Sequence, residues 1–130
     1  MNEVFEFLKK CGVYYLATCE GTQPRVRPFG ALAVIDGKIC MPTNNQKKVY
    51  QQLMINPKFE LCGMHEGRWI RVEGVAELDD RREARVAMLE QCPMLSGMYN
   101  ADDGLMVVFR IASGTATIAS FEAPPEVYQL

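Results

Sequence analysis

Residues 68–78, RWIRVEGVAEL, alternate between side chains that seek a core and side chains that seek water. Ile70, Val72, Ala76 and Leu78 fall on one side, and Trp69, Arg71, Glu73 and Glu77 fall on the other. A period of two marks a β-strand with one covered face, whereas a helix would repeat every 3.6 residues. Just before it stands KFELCGMH, followed by Glu66-Gly67, a two-residue turn signal. The two segments read as a hairpin, so the centre of this chain is committed to an antiparallel sheet.

The flanking segments extend that sheet. VYYLATC, residues 13–19, is rich in β-formers, and EGTQP after it is a turn. A strand over 25–35 is expected to bend or bulge at Pro28 and Gly30. Asp36-Gly37 is a second hairpin turn and returns the chain through KICMPT. LMVVFRI and TATIASF read as two more strands, split by Ala112-Ser113-Gly114, and the tail EAPPEVYQL as extended chain. Helical spacing occurs in three places. Residues 2–11 carry Val4, Leu8 and Cys11 on one stripe, with Gly12 as a stop. Residues 46–55 carry Val49, Tyr50, Leu53 and Met54, with Asn44 or Asn45 as cap and Asn56-Pro57 as terminator. Residues 80–92 open on Asp80 and Glu83 as a capping box and end before Pro93. Hairpin-like strands with small helices between them predict a mainly β (α+β) antiparallel barrel, not a doubly wound parallel sheet.

At 130 residues the chain is one domain, large enough to bury a core without a metal or disulfide staple. The formal net charge of -2 supplies no field for nucleic acid or an anionic membrane, so an anion site must be a local cluster. The five cysteines, Cys11, Cys19, Cys40, Cys62 and Cys92, contain no C-x-x-C pair and read as reduced, small hydrophobic residues. MNEVFEFLKK is too polar for a signal peptide, and no apolar run could span a bilayer, so the expected location is cytoplasmic.

The basic cluster is the most informative chemistry. Arg25 and Arg27, two apart, share one face of a strand, and Lys47 and Lys48 open a helix just after Thr43-Asn44-Asn45. Cations are disfavoured at a helix start, where free N–H groups already carry partial positive charge. A bound anion resolves that conflict, because helix N–H groups, lysine and arginine would converge on one phosphate. Antiparallel pairing about Asp36-Gly37 is expected to bring the arginines near Thr43. Four solvated surface charges would explain the same residues without a ligand. Trp69, the single tryptophan, faces outward beside Arg71 and suits a planar ligand or a subunit interface, or else packing under the second helix. His65 is the single histidine and reads as a turn or core residue; no metal set and no catalytic triad is present in the pattern. Asp102-Asp103 reads as loop, and Glu73 and Glu77 as partners of basic neighbours. G-x-G-x-x-G and G-x-x-x-x-G-K-[ST] are both absent. With no evident acid, base or nucleophile, catalysis would have to be carried by a cofactor with a phosphate handle.

The run PRVRPFGAL, then DGKICMPTNNQKKVYQQLMINPKFEL, then RWIRVEGVAEL resembles the pyridoxamine 5'-phosphate oxidase-like flavoproteins, closest to the short Nim-type (5-nitroimidazole resistance) branch. The resemblance spans about residues 5–121. It implies a six-stranded split β-barrel with peripheral helices, binding flavin mononucleotide (FMN) at the seam of a homodimer. Carried over position by position, Arg25, Val26 and Arg27 would meet the FMN phosphate and flavin edge. Pro42, Thr43 and Asn44 would line the flavin. Lys47 and Lys48, chiefly Lys48, would hold the phosphate, and Trp69 and Arg71 would reach the partner subunit. The implied chemistry is electron transfer from NAD(P)H or another donor to a small acceptor, with nitroaromatics among the candidates. A non-enzymatic flavin store, or a haem- or deazaflavin-binding relative on the same barrel, is the alternative. After residue 120 the chain reads FEAPPEVYQL, without an R-L-H-x-R-type motif, so pyridoxamine phosphate is not the expected substrate.

Overall fold

The computed structural model describes residues 2–130. Helix α1 (Asn2–Cys11) leads into β1 (Tyr14–Glu20), β2 (Gln23–Phe29), β3 (Ala33–Ile35) and β4 (Lys38–Asn44). Helix α2 (Lys48–Ile55), β5 (Lys58–His65), β6 (Arg68–Leu78) and α3 (Arg82–Gln91) follow. A 3-10 turn over Pro93–Gly97 precedes β7 (Met106–Ala119) and β8 (Glu126–Gln129). One antiparallel sheet runs in the order β2-β1-β5-β6-β7-β4-β3, with β8 beside β7. The sheet is the split-barrel fold, and it does not close.

Eight strands replace the expected six. The expected strand over 25–35 is two strands, β2 and β3, separated at Gly30, Ala31 and Leu32. β2 pairs only with β1, and β3 only with β4, so Asp36-Gly37 does not join β2 to β4. Pro24 and Pro28 are tolerated in β2 because it is an edge strand. Asp36 and Gly37 do make the tight turn, both with positive φ, at 50° and 76°. The tail forms β8, pairing Glu126–Gln129 with Thr115–Ile118.

The two strands expected around Ala112-Ser113-Gly114 are one 14-residue strand, β7. Gly114 is no turn residue; it pairs directly with Gly74 of β6. A Cβ on Gly114 would lie 2.6 Å from the Glu73 carbonyl oxygen, and a Cβ on Gly74 would collide with the Ser113 carbonyl. The strands therefore approach more closely here than side chains allow, next to a register irregularity between Val75 and Ala76. β7 runs past this point, pairing β4 through Met106–Arg110 and β8 beyond it.

Two cores result. α1 packs on β5 and β6, and α2 on β1 and β4, enclosing Val4, Leu16, Leu53, Leu61, Val72 and Ile111. α3 packs on β3 and β7 over Ile35, Cys40, Met88 and Val108. β4 is buried on both faces, which is why KICMPT is apolar without alternation.

Helix α3 begins at Arg82, two residues later than Asp80 and Glu83 predict, and no side chain caps it. The buried Asp79 takes over. Its carboxylate accepts from Arg81 Nε at 2.8 Å and from Arg81 Nη2 at 2.8 Å, and Arg81 reaches on to Asp36 at 2.7 Å. Those hydrogen bonds hold the Asp79 carboxyl below its ordinary range against the opposing effect of burial.

Replacing Gly114 with alanine should lower unfolding stability by about 2–3 kcal/mol, read from urea denaturation, because backbone atoms must part to admit the methyl group. Asp79→Asn should cost about 2 kcal/mol at neutral pH, the worth of a charge-assisted pair. A carboxyl whose folded pKa is depressed contributes stability above its unfolded pKa and loses it as pH falls through the folded value. The difference between wild type and Asp79→Asn should therefore shrink below about pH 4, in denaturation followed across pH.

Candidate functional site

In β1 and β2 the register sets Leu16 against Arg27 and Thr18 against Arg25. Both arginines thus lie on the core face of the sheet, on its edge strand, and Arg27 reaches α2 at Gln52. Arg27 is half-buried and uses three of its five N–H donors within the chain: it donates to the Leu16 carbonyl at 3.1 Å, to Thr18 Oγ1 at 2.7 Å and to Gln52 Oε1 at 2.6 Å. Thr18 in turn donates to Gln52 Oε1 at 2.5 Å. Burial, and then the neighbouring Arg25, lower the Arg27 guanidinium from its ordinary pKa. Arg25 is more exposed and pairs with Glu20 at 2.8 Å. Hydrogen bonds and charge from Arg25 lower the Glu20 carboxyl, with smaller effects from Gln52 and from the positive charge of Lys48. Arg25 and Arg27 thus share one face of β2, Arg27 is tied to α2 through Gln52, and Lys48 in the first turn of α2 is close enough for its charge to act on Glu20.

Neither Asn44 nor Asn45 caps α2. Lys47 is the cap residue in extended conformation, and no side chain caps the helix. Asn44 accepts from the Gln46 N–H at 3.0 Å and donates to the Tyr99 hydroxyl at 2.7 Å. Asn45 donates to the Gly104 carbonyl at 2.8 Å. The N–H groups of Lys48 and Val49 lie in the first turn, where no intrahelical acceptor exists.

Lys47 points elsewhere from Lys48. It lines a groove of about 150 Å³ with Pro28, Phe29, Pro42, Thr43 and Tyr99. β2 and β4 are not paired, so the curl of the sheet, and not the hairpin, brings Pro28–Phe29 beside Pro42–Thr43. Tyr14 fixes that wall: its buried hydroxyl donates to the Ala31 carbonyl at 2.6 Å and its ring packs on Phe29.

Trp69 and Arg71 are not brought to this cluster within the chain. Arg71 pairs in register with Cys62, which pairs with Tyr15, which pairs with Pro28. That row is the outer face, opposite Arg27. There Trp69, Arg71, Glu60, Glu73, Thr117 and Pro125 line a shallow groove of about 460 Å³. Trp69 rests on Phe121, with ring centroids 5.0 Å apart, and Arg71 pairs with Glu60 at 2.8 Å. Val26 is on this outer face too, 67% exposed. Tyr15, Met64 and Val127 extend it as exposed apolar surface.

The sequence model of pyridoxamine 5'-phosphate oxidase matches residues 1–118. The chain belongs to the pyridoxamine 5'-phosphate oxidase family. Within the family it stands on the Nim branch: it is 47% identical to a NimC/NimA family protein from Clostridium acetobutylicum, with a TM-score of 0.98 over 100% of this chain and 92% of that one. Two more distant structures share the fold. A pyridoxamine 5'-phosphate oxidase-related, FMN-binding protein from Nostoc punctiforme is 12% identical, with a TM-score of 0.66 over 99% of this chain and 95% of that one. A haem-binding protein from Mycobacterium smegmatis is 14% identical, with a TM-score of 0.72 over 93% of this chain and 55% of that one. No curated protein matches the chain.

Several residues of this family member's site carry weak sequence signals. Gln52 follows Val49 by three and precedes Leu53, so it is a polar residue on an apolar stripe, and it is 5% exposed. Thr18 likewise occupies a core position two residues from Leu16. Glu20 and Tyr99 carry no signal, because a turn and an irregular stretch place them. His65 lies at the end of β5, edge-on to Phe7, and lines neither groove. Among the described residues no three His, Cys, Asp or Glu side chains gather as a metal set. No described helix is long and apolar enough to cross a membrane.

Arg27 has a structural role as well as its charge. Arg27→Met should lower stability by about 2 kcal/mol, since it strips hydrogen bonds from buried Thr18 and Gln52; thermal unfolding of the variant checks this. Arg25→Ala, whose pairing is exposed, should change stability by less than about 1 kcal/mol.

Proposed function

We propose that this chain binds FMN, with the phosphate at the start of α2 and the ring reaching along the Pro42–Thr43 groove. The carrying observation is Arg25 and Arg27 on one face of β2, with Arg27 tied to Gln52 of α2 and the charge of Lys48 acting on Glu20 from an uncapped helix start. The donor set fits a phosphate dianion: two guanidinium groups, an ammonium and first-turn N–H groups are all donors. Arg27 is immobilised by Thr18 and Gln52, so it positions charge without losing rotamer freedom on binding. Lys48, and Arg25 once it exchanges Glu20 for the ligand, would close on the anion. Lys47, Thr43 and Asn44 would face the ring side, where Asn44 is oriented by Tyr99.

Bound flavin would supply two-electron redox chemistry at its ring. The reading is an oxidoreductase that passes electrons from NAD(P)H or another donor to a small acceptor, nitroaromatics among the candidates. The protein's part is to anchor, orient and exclude water. A second copy of the chain is proposed to cover the outer face at Val26, Trp69 and Arg71, where apolar surface is exposed beside the larger groove. A cytoplasmic setting agrees with five unpaired cysteines. The haem reading is weaker, because the single histidine lines neither groove.

The absorbance spectrum of the purified protein distinguishes flavin, deazaflavin and haem. Arg25→Ala combined with Lys48→Ala should weaken FMN by about a hundredfold and riboflavin by less than about threefold, since two charge-assisted contacts to phosphate are lost. Equal affinity of the wild type for FMN and riboflavin would remove the phosphate assignment. NAD(P)H oxidation with a nitroaromatic or quinone acceptor separates an enzyme from a flavin store. Sedimentation should show a dimer.

A further inference from the structure

The proposed phosphate site already contains an anion of its own. Glu20 ends β1, and the tight turn at Gly21, with φ of 61°, sends the chain directly back into β2. Thr18 pairs with Arg25 and Glu20 with Gln23, so Glu20 sits diagonally across from Arg25 on the same face. Its Oε1 accepts from Arg25 Nε at 3.2 Å and from Arg25 Nη2 at 2.8 Å. Its Oε2 lies 3.5 Å from Gln52 Nε2. The Gln52 amide cannot turn away, because its oxygen is gripped by Thr18 and Arg27. The amide nitrogen is thereby aimed at the place where the Glu20 carboxylate stands, and Lys48 contributes positive charge to the same place.

Three donors thus converge on one acceptor position, and a side chain fills it. A phosphate oxygen arriving there would meet the same donors and the same carboxylate. Resting on the FMN reading above, we propose that Glu20 is a built-in competitor for the phosphate: its carboxylate must swing off Arg25 and Gln52 for the phosphate to bind. The backbone of Glu20 is locked by the turn, but its side chain is 46% exposed and can rotate into water. In the ligand-free protein Glu20 offsets the mutual repulsion of Arg25, Arg27 and Lys48. In the complex it becomes a negative charge beside a dianion. Glu20 accordingly sets the affinity for phosphorylated ligands and leaves the unphosphorylated ones untouched.

The test is to titrate wild type and Glu20→Gln with FMN and with riboflavin, following the quenching of flavin fluorescence. Glutamine keeps the shape and removes the charge at an exposed position, so the variant folds; its circular dichroism should match wild type. The expected result is FMN binding about tenfold tighter in Glu20→Gln at low salt, with the gain shrinking as salt screens the charge. Riboflavin affinity should be unchanged. A wild type that prefers FMN while Glu20→Gln binds FMN equally or more weakly overturns the competitor role alone, and makes Glu20 a support for Arg25. A wild type that binds both flavins equally overturns the phosphate reading, and the competitor with it.

Discussion

The close approach of β6 and β7 at Gly74 and Gly114 governs the shape of the molecule. Facing glycines remove the side chains that would hold the two strands at ordinary distance, and the irregularity at Val75/Ala76 adds a local bend. One continuous strand can then serve two neighbourhoods. Up to Arg110 it pairs with β4, over one core under α3 and another under α1 and α2; beyond Gly114 it pairs with β8. A flat sheet of the same strand order would leave β2 and β4 far apart, with four strands between them.

The candidate site depends on that curl. β2 has one strand neighbour, so its position over α2 is held by side chains, chiefly Arg27 locked to Thr18 and Gln52. The same contacts aim the Gln52 amide at Glu20. Arg25, Arg27, Thr18, Gln52 and Glu20 thus form one hydrogen-bonded group, in which Arg27 is structural and Arg25 is the arginine proposed to meet the ligand, with Lys48. Trp69 and Arg71 belong to the opposite face, so the residues that family resemblance joins into one site are divided between two surfaces of a single chain.

Much of this was legible in the sequence wherever a local rule operates. The alternation of 68–78 became β6, Asp36-Gly37 and Glu66-Gly67 became positive-φ turns, and the stripe of Val4 and Leu8 became α1. Misreadings arose where a distant partner overrode the local signal. Ala112-Ser113-Gly114 has turn composition, yet Gly114 is there for Gly74, forty residues away in sequence. Asp80 and Glu83 have the spacing of a capping box, but buried Asp79 and its hold on Arg81 delay the helix. The basic residues were visible as a cluster, although the hairpin pairing expected to join them to Thr43 does not form. Glu20 was invisible, because nothing in a turn sequence says which donors will surround it.

The two prolines of β2 have a consequence at the open edge. In an antiparallel pair, alternate residues direct their N–H groups inward to the partner or outward to solvent. Pro24, Val26 and Pro28 share one parity, and proline is compatible only with the outward one. Two of the three outward donors on β2 are thus deleted, leaving that of Val26. A strand from another molecule finds no ladder to extend there, which protects this edge from runaway sheet growth. The exposed apolar face can then be met broadside without the chain also being available for end-to-end polymerisation through β2.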